Sequence, residues 1–295
     1  MRPFSAFILR NPLTALLTAA LFGILALKAP PFVLPSAAAV GLYALSKSWA
    51  QGVLVAAGAG LLVAGGWYLL GSRPGLDFPL VYAVWPPLLI SAETLRRAQS
   101  QGAALLAIGV MVGLFVLGTH LATDDVIAFW RAWLDRAVAA VPGATVRGFE
   151  ENDSLRLMNG LIAMLLGLSL MLSLLLARWL QSIHFNPGSF EPEFLALRLP
   201  RLTLFLTVAL VWGAGSFDKV LLADLFMAAM MMYFFVGLAV IHGVIAVRGM
   251  ARGWALPAYI LMVYLPQYAV SGLALMGAID AFVDFRAQNP AQRQE

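Results

Sequence analysis

From Gly160 to Ala177 the chain reads GLIAMLLGLSLMLSLLLA, eighteen residues without a charge. As a helix such a run is about 27 Å long, close to the thickness of a bilayer's hydrocarbon core. In lipid each backbone N–H and C=O must find its partner inside the segment, so the run is expected to be helical. The rest of the chain agrees. It has 295 residues, of which 61% are hydrophobic and only 12% charged, about half the charged share of a soluble domain. Its mean hydropathy is +0.86. Too little polar surface remains to face water on all sides, and the period-two alternation of a membrane barrel is absent. The expected fold class is all-α: a polytopic helical membrane protein with about eight or nine transmembrane helices and one or two interfacial amphipathic helices, in a single integral membrane domain.

Nine apolar runs carry that expectation: Leu13–Leu27, Phe32–Ser46, Val53–Leu70, Phe78–Ser91, Gly102–Leu121, Leu155–Ala177, Leu202–Ser216, Val220–Val247 and Leu256–Ile279. Arg2 and Arg10 precede the first run as in a signal peptide, but Lys28-Ala-Pro-Pro follows it where a small-residue cleavage site would stand, so it reads as an uncleaved span. The second run is short enough to be tilted or partly re-entrant. In the third, Gly52, Ala56, Gly60 and Ala64 recur every four positions and invite close helix approach. Trp85-Pro86-Pro87 predicts a kink in the fourth. Glu93 stands three and four positions before Arg96 and Arg97, so the three share one helix face. Turns are expected at Arg73–Asp77 and a loop at Pro142–Asp153. The tail from Asp280 to Glu295 is polar and expected to fray.

Two stretches read as interfacial helices. Asp124–Ala140 carries Val126, Phe129, Trp130 and Trp133 near one face, with Thr123 able to cap its start. Phe190–Leu199 follows the helix-breaking Asn186-Pro187-Gly188 and can lay its Phe and Leu side chains on lipid. With the amino terminus inside, Arg2, Arg10, Lys47, Arg96, Arg97, Arg178, Arg198, Arg201, Arg248 and Arg252 fall on inner segments, while the short outer turns hold Lys28, Arg73 and Lys219. That distribution follows the positive-inside rule and predicts a multi-pass protein of a bacterial cytoplasmic (inner) membrane with a cytoplasmic amino terminus. Nine spans would put the carboxy terminus outside; eight would change the side.

The sequence holds no cysteine, which excludes disulfides and thiolate chemistry. The net charge of +4 comes without a basic stripe interleaved with aromatics, so nucleic acid is not an expected partner. No nucleophile elbow, phosphate-binding loop, zinc-protease motif or pair of catalytic carboxylates appears. An enzyme is therefore not expected, nor a cofactor or metal; the expected partners are the lipid bilayer, possible membrane proteins and a small-molecule ligand.

The candidate ligand-binding residues are Trp85 beside the paired prolines, His120 and Asp224, which close and open their runs on the outer side, and Gln267 after Pro266, where a proline can free a carbonyl and line a polar cavity. Asp224 stands about one turn from Lys219 and Asp218, so a headgroup-level ion pair is the alternative. His242 stands eighteen residues from Asp224, about 27 Å along a helix, so the two cannot touch. Glu193, Arg198, Arg201 and His242 are candidates for contact with a partner or with lipid headgroups; Glu191 or Glu193 could also pair with Arg198. Met227, Met230, Met231 and Met232 read as adaptable packing rather than a copper site.

The segments YAVWPPLLISAETLRRAQS, FNPGSFEPEFLALRLPR and LAVIHGVIAVRGMARGWALPAYILMVYLPQ, with the order of spans, resemble the YybS-like bacterial inner-membrane proteins over nearly the whole chain. That family has no established reaction and lends no catalytic residues. It is thought to be distantly related to the substrate-binding components of energy-coupling-factor vitamin transporters, so the resemblance implies small-molecule transport or solute binding. The alternative is a non-enzymatic scaffold in membrane or cell-envelope assembly.

Overall fold

A computed structural model describes residues 2–70, 78–139, 154–217 and 219–287. The turn expected at Arg73–Asp77, the loop at Pro142–Asp153, Asp218 and the last eight positions of the tail lie outside the described residues. Among the described residues every regular element is a helix. In chain order these are α1 (Arg2–Leu9), α2 (Pro12–Ala26), α3 (Val33–Ser46, preceded by a 3-10 turn at Pro30–Phe32), α4 (Trp49–Leu70), α5 (Val81–Ala98), α6 (Gln101–Ala122), α7 (Val126–Ala139), α8 (Met158–Phe185, led by a 3-10 turn at Ser154–Leu157), α9 (Phe190–Leu195), α10 (Arg201–Phe217), α11 (Val220–Val247), α12 (Leu256–Tyr264) and α13 (Pro266–Val283).

Among the described residues four segments are long and apolar enough to cross a membrane: Trp49–Leu70, Gln101–Ala122, Ser154–Phe185 and Val220–Val247. α1 and α2 pass the same test together but meet at 114°. The corner falls at Asn11, whose side chain caps α2 by accepting from the Thr14 amide while the Thr14 hydroxyl faces back, a reciprocal cap that starts a new helix axis. Pro30–Ser46 and Arg201–Phe217 are shorter apolar helices. α5 runs unbroken through Pro86 and Pro87 to the Arg96 and Arg97 turn.

The short α3 is the hub of the first half. Every residue from Ser36 to Leu45 is buried, because α2, α4, α5 and α8 pack around it. Its side chains suit that place: Ala37, Ala38, Ala39, Gly41 and Ala44 let neighbours close in on all sides, and a helix apolar all round is a buried helix. A Cβ on Gly52 of α4 would meet the Ala44 Cβ at 2.5 Å, so α4 seats on α3 at Gly52, while Gly60 of the same stripe faces Tyr82 and Trp85 of α5. The Ser36 hydroxyl donates to the Ala19 carbonyl at 2.7 Å, so this buried hydroxyl is satisfied by the neighbouring helix.

α8 joins the two halves. One side of it lies on α3, the other on α6 and α11. Met227, Met231 and Met232 of α11 fill the notches at Gly160, Gly167 and Gly109 on α8 and α6, as a flexible thioether does in irregular gaps. α10 and α13 flank the remaining sides of α11. A Cβ on Gly237 would overlap the Leu273 carbonyl, so α11 and α13 touch backbone to backbone.

The last apolar run is not one rod. Leu265 leaves the helical region (φ −139°, ψ 62°) and Pro266 starts a new helix. Tyr259 of α12 reaches His242 at 3.1 Å, and the side chain of Arg286, just past α13, lies against the next residue, Gly243. Both ends of this segment therefore meet the same end of α11, so the chain folds back at Pro266. The tail from Asp280 to Ala287 is tied down rather than frayed. Arg286, 5% exposed, pairs with Asp280, 2% exposed, at 2.5 Å, and donates to the carbonyls of Leu195 and Leu197. Arg198 pairs with Asp284 and Arg201 donates to the Ala281 carbonyl at 3.3 Å.

The two ends of the bundle are thus distinct. Arg2, which donates to the Ile183 carbonyl, Ser46, Gly102, the elbow 186–201 and residues 284–287 gather at one end. Lys28, which donates to the Leu70 carbonyl, and the group of His120, Asn159 and Asp224 gather at the other.

Candidate functional site

Asp224 lies one turn into α11 and is 1% exposed. An aspartate this deep among apolar helices needs partners, since a buried unpaired carboxylate costs several kcal/mol. It draws them from two other helices. His120, near the end of α6, places Nε2 at 2.8 Å from Oδ2. Asn159, in the first turn of α8, donates from Nδ2 to the same oxygen, also at 2.8 Å. The second oxygen, Oδ1, is buried without a hydrogen-bond partner. It faces Gly160, where a Cβ would stand 2.9 Å away; glycine is what lets α8 approach this carboxylate.

The orientation of Asn159 is fixed by a fourth element. The Trp130 indole of α7 donates to Asn159 Oδ1 at 3.0 Å. An indole N–H can only donate, so the amide oxygen must face α7 and the amide nitrogen must face Asp224. The Thr119 hydroxyl lies 3.0 Å from the same oxygen and 2.8 Å from the Val116 carbonyl, one proton between two acceptors. Val126, Trp130 and Leu134, one apolar stripe of α7, are buried, so the helix lies across the end of the α6–α8–α11 group with Trp130 pointing in. Its cap is Asp125, whose carboxylate accepts from the amides of Ile127 and Ala128. The expected cap, Thr123, instead turns back to the Thr119 carbonyl at the end of α6.

Of the residues read from sequence, His120 and Asp224 come together. Lys219 does not take the Asp224 carboxylate. Trp85 is buried in the other half, beside Gly23 and Gly60 of α2 and α4, with its indole nitrogen unpartnered. Gln267 is exposed in the first turn of α13, its carbonyl accepting from Ser271. The four contact candidates are engaged within the chain. Glu193 binds Arg178 through two hydrogen bonds of 2.8 and 2.5 Å rather than Arg198. Arg198 and Arg201 hold the end of α13 at Asp284 and Ala281, and His242 contacts Tyr259 and the Leu238 carbonyl.

Asn159, Thr119 and Trp130 were not singled out as site residues. Asn159 had a signal: it is the last polar side chain before the uncharged run. Trp130 had none, because a tryptophan on an amphipathic helix reads as a headgroup anchor. Among the described residues no three His, Asp or Glu side chains converge as metal ligands. Two hollows, of about 200 and 180 Å³, lie at the opposite end of the bundle, beside Arg178 and beside Tyr233 and Asp280.

Comparison with protein-family models, with curated proteins and with solved structures returns no match. The class rests on the fold itself: an all-helical chain in which several helices are apolar and long enough to span a membrane.

Proposed function

We propose that this chain is a multi-pass protein of a bacterial cytoplasmic membrane that binds or carries a small solute, with the α6–α8–α11 junction as the working site. The observation that carries the reading is Asp224, a carboxylate buried among apolar helices with one oxygen unpaired. Ionisable groups inside membrane helices are costly and are retained mainly where a substrate, ion or proton passes. The resemblance to YybS-like proteins points the same way. In this reading α2, α3, α4, α5, α6, α8, α10 and α11 make eight crossings, and α12 and α13 form a hairpin that returns to its starting side. Residues 2–9 and 284–287 then both face the cytoplasm, in keeping with the arginines gathered at that end, and Asp224 lies near the outer face.

A thermal-shift screen of the purified protein against vitamins, nucleobases, amines and lipids, run in parallel on Asp224→Asn, tests this. The expected result is a solute that stabilises the parent protein and not the variant. A screen without such a solute, combined with a membrane protein that crosslinks to and co-purifies with the chain, would favour the scaffold role instead.

A further inference from the structure

We infer that Asp224 and His120 together form a proton-binding site, loaded from water through His120, so that whatever the junction does is linked to proton uptake. The inference rests on reading this junction as the working site. Its ground is the geometry of one hydrogen bond and the unequal exposure of its ends. Asp224 is 1% exposed while the His120 side chain is 18% exposed. The imidazole therefore touches both the surface of the protein, at the end of α6 that faces the outer side in the proposed topology, and the carboxylate, and its Nε2 is 2.8 Å from Oδ2.

A proton that adds to the imidazole at Nδ1 lets the Nε2 proton pass to Oδ2 along that bond, which leaves a neutral imidazole with its proton on Nδ1 and Nε2 accepting from the protonated carboxyl. Histidine is the side chain suited to this exchange near neutral pH. When Asp224 is ionised, the charge balancing it within its own hydrogen bonds is the His120 imidazolium; when Asp224 is protonated, the pair needs none. Asn159 does not compete for the proton, because Trp130 holds its amide oxygen and leaves an N–H toward Asp224. Oδ1 is closed in by Gly160, and the Met227 sulfur packs on the same glycine.

The surrounding elements bring other ionisable groups. The turn before α7 carries Asp124 and Asp125, and α7 carries Arg131, Asp135 and Arg136. Arg156 precedes α8, and Lys219 caps α11. The charged residues of α10 and α13 lie at the other end. The hydrogen bonds to the Asp224 carboxylate come from His120 and Asn159.

The proton itself is the probe. Infrared difference spectra of the full chain in lipid nanodiscs, taken between about pH 5 and about pH 8 across the histidine range, should contain a protonated-carboxyl band that Asp224→Asn removes. His120→Gln should keep a carboxyl band but move the pH midpoint of its titration. Identical spectra for the parent and Asp224→Asn would overturn the inference. If Asp224→Asn does not fold, His120→Gln decides alone: an unmoved midpoint overturns it. A solute that binds in an Asp224-dependent but pH-independent way would sink the proton site and leave the proposed function standing. A titrating Asp224 in a protein that binds no solute would do the reverse.

Discussion

The Nε2 of His120 lies 2.8 Å from Oδ2 of Asp224 across 104 residues of sequence. The same carboxylate oxygen ends a chain of side chains from Trp130 of α7 through Asn159 of α8 to α11, and that chain makes α7 part of the site rather than a bystander at the membrane surface.

Trp130 tests that connection. Trp130→Phe keeps an aromatic ring in the pocket but removes the donor to Asn159 Oδ1. Losing one partner of a buried hydrogen bond costs about 1–3 kcal/mol, so the thermal midpoint should fall. Freed from the indole, Asn159 can flip, and the infrared band of Asp224 should shift with it. A variant with an unchanged midpoint and an unchanged carboxyl band would show that Trp130 only packs.

Arg286 and Asp280 form the buried ion pair of the tail. Removing one partner of such a pair leaves an uncompensated charge, at a cost of about 3–5 kcal/mol. Arg286→Met should therefore destabilise strongly and expose the region after Val283 to protease. The double variant with Asp280→Asn should recover much of the loss. Equal damage in the single and double variants would mean that the Leu195 and Leu197 carbonyls, not the carboxylate, are what Arg286 serves.

The fold-back at Pro266 gives a topological prediction. Reporters inserted near His184 and after Ala287 should read the same compartment, and one in the stretch between Ala122 and Ser154 the opposite one. Opposite readings at His184 and Ala287 would mean that α12 and α13 cross as one unit.

Glu93 supplies a pH prediction at the polar end of α5, past the apolar run Phe78–Ser91. The hydrogen bond from Arg96, with help from Arg97, holds its carboxyl at about 2 instead of 4.5. A carboxyl lowered by folding contributes stability above its ordinary value and loses it as the pH falls toward the lowered one. The last turn of α5 should therefore loosen as pH drops from 4.5 toward about 2. Glu93→Gln should remove that pH dependence, with hydrogen exchange of the Leu95–Ala98 amides as the readout. High salt should weaken the effect, because the arginines are solvent-exposed.

The helical class was legible because uncharged runs leave a backbone no other way to satisfy itself. Leu155–Ala177 falls within one helical stretch, and the Glu93 cluster follows from helical spacing alone. The fold-back of Leu256–Ile279 was not legible. A proline inside an apolar run is compatible with a kink, a break or a hairpin, and contacts 17 to 91 residues distant decide among them. Asp224 was visible as an acid near one end of an apolar run, but its partners come from two other helices, and a third element, α7, orients one of them. A lone histidine, an asparagine beside an apolar run and a tryptophan on an amphipathic face each have an ordinary explanation until packing brings them together. Trp85 and Gln267 drew attention because each adjoins a proline, which marks backbone geometry rather than proximity.

The enclosure of α3 sets an order on biogenesis. It leaves the ribosome third, yet one of its walls is α8, synthesised more than a hundred residues later. Until then its alanine-rich surface must remain partly open to lipid. The amino-terminal half therefore cannot mature as a closed unit ahead of the rest, and a nascent chain truncated before Met158 should be a substrate for membrane quality control.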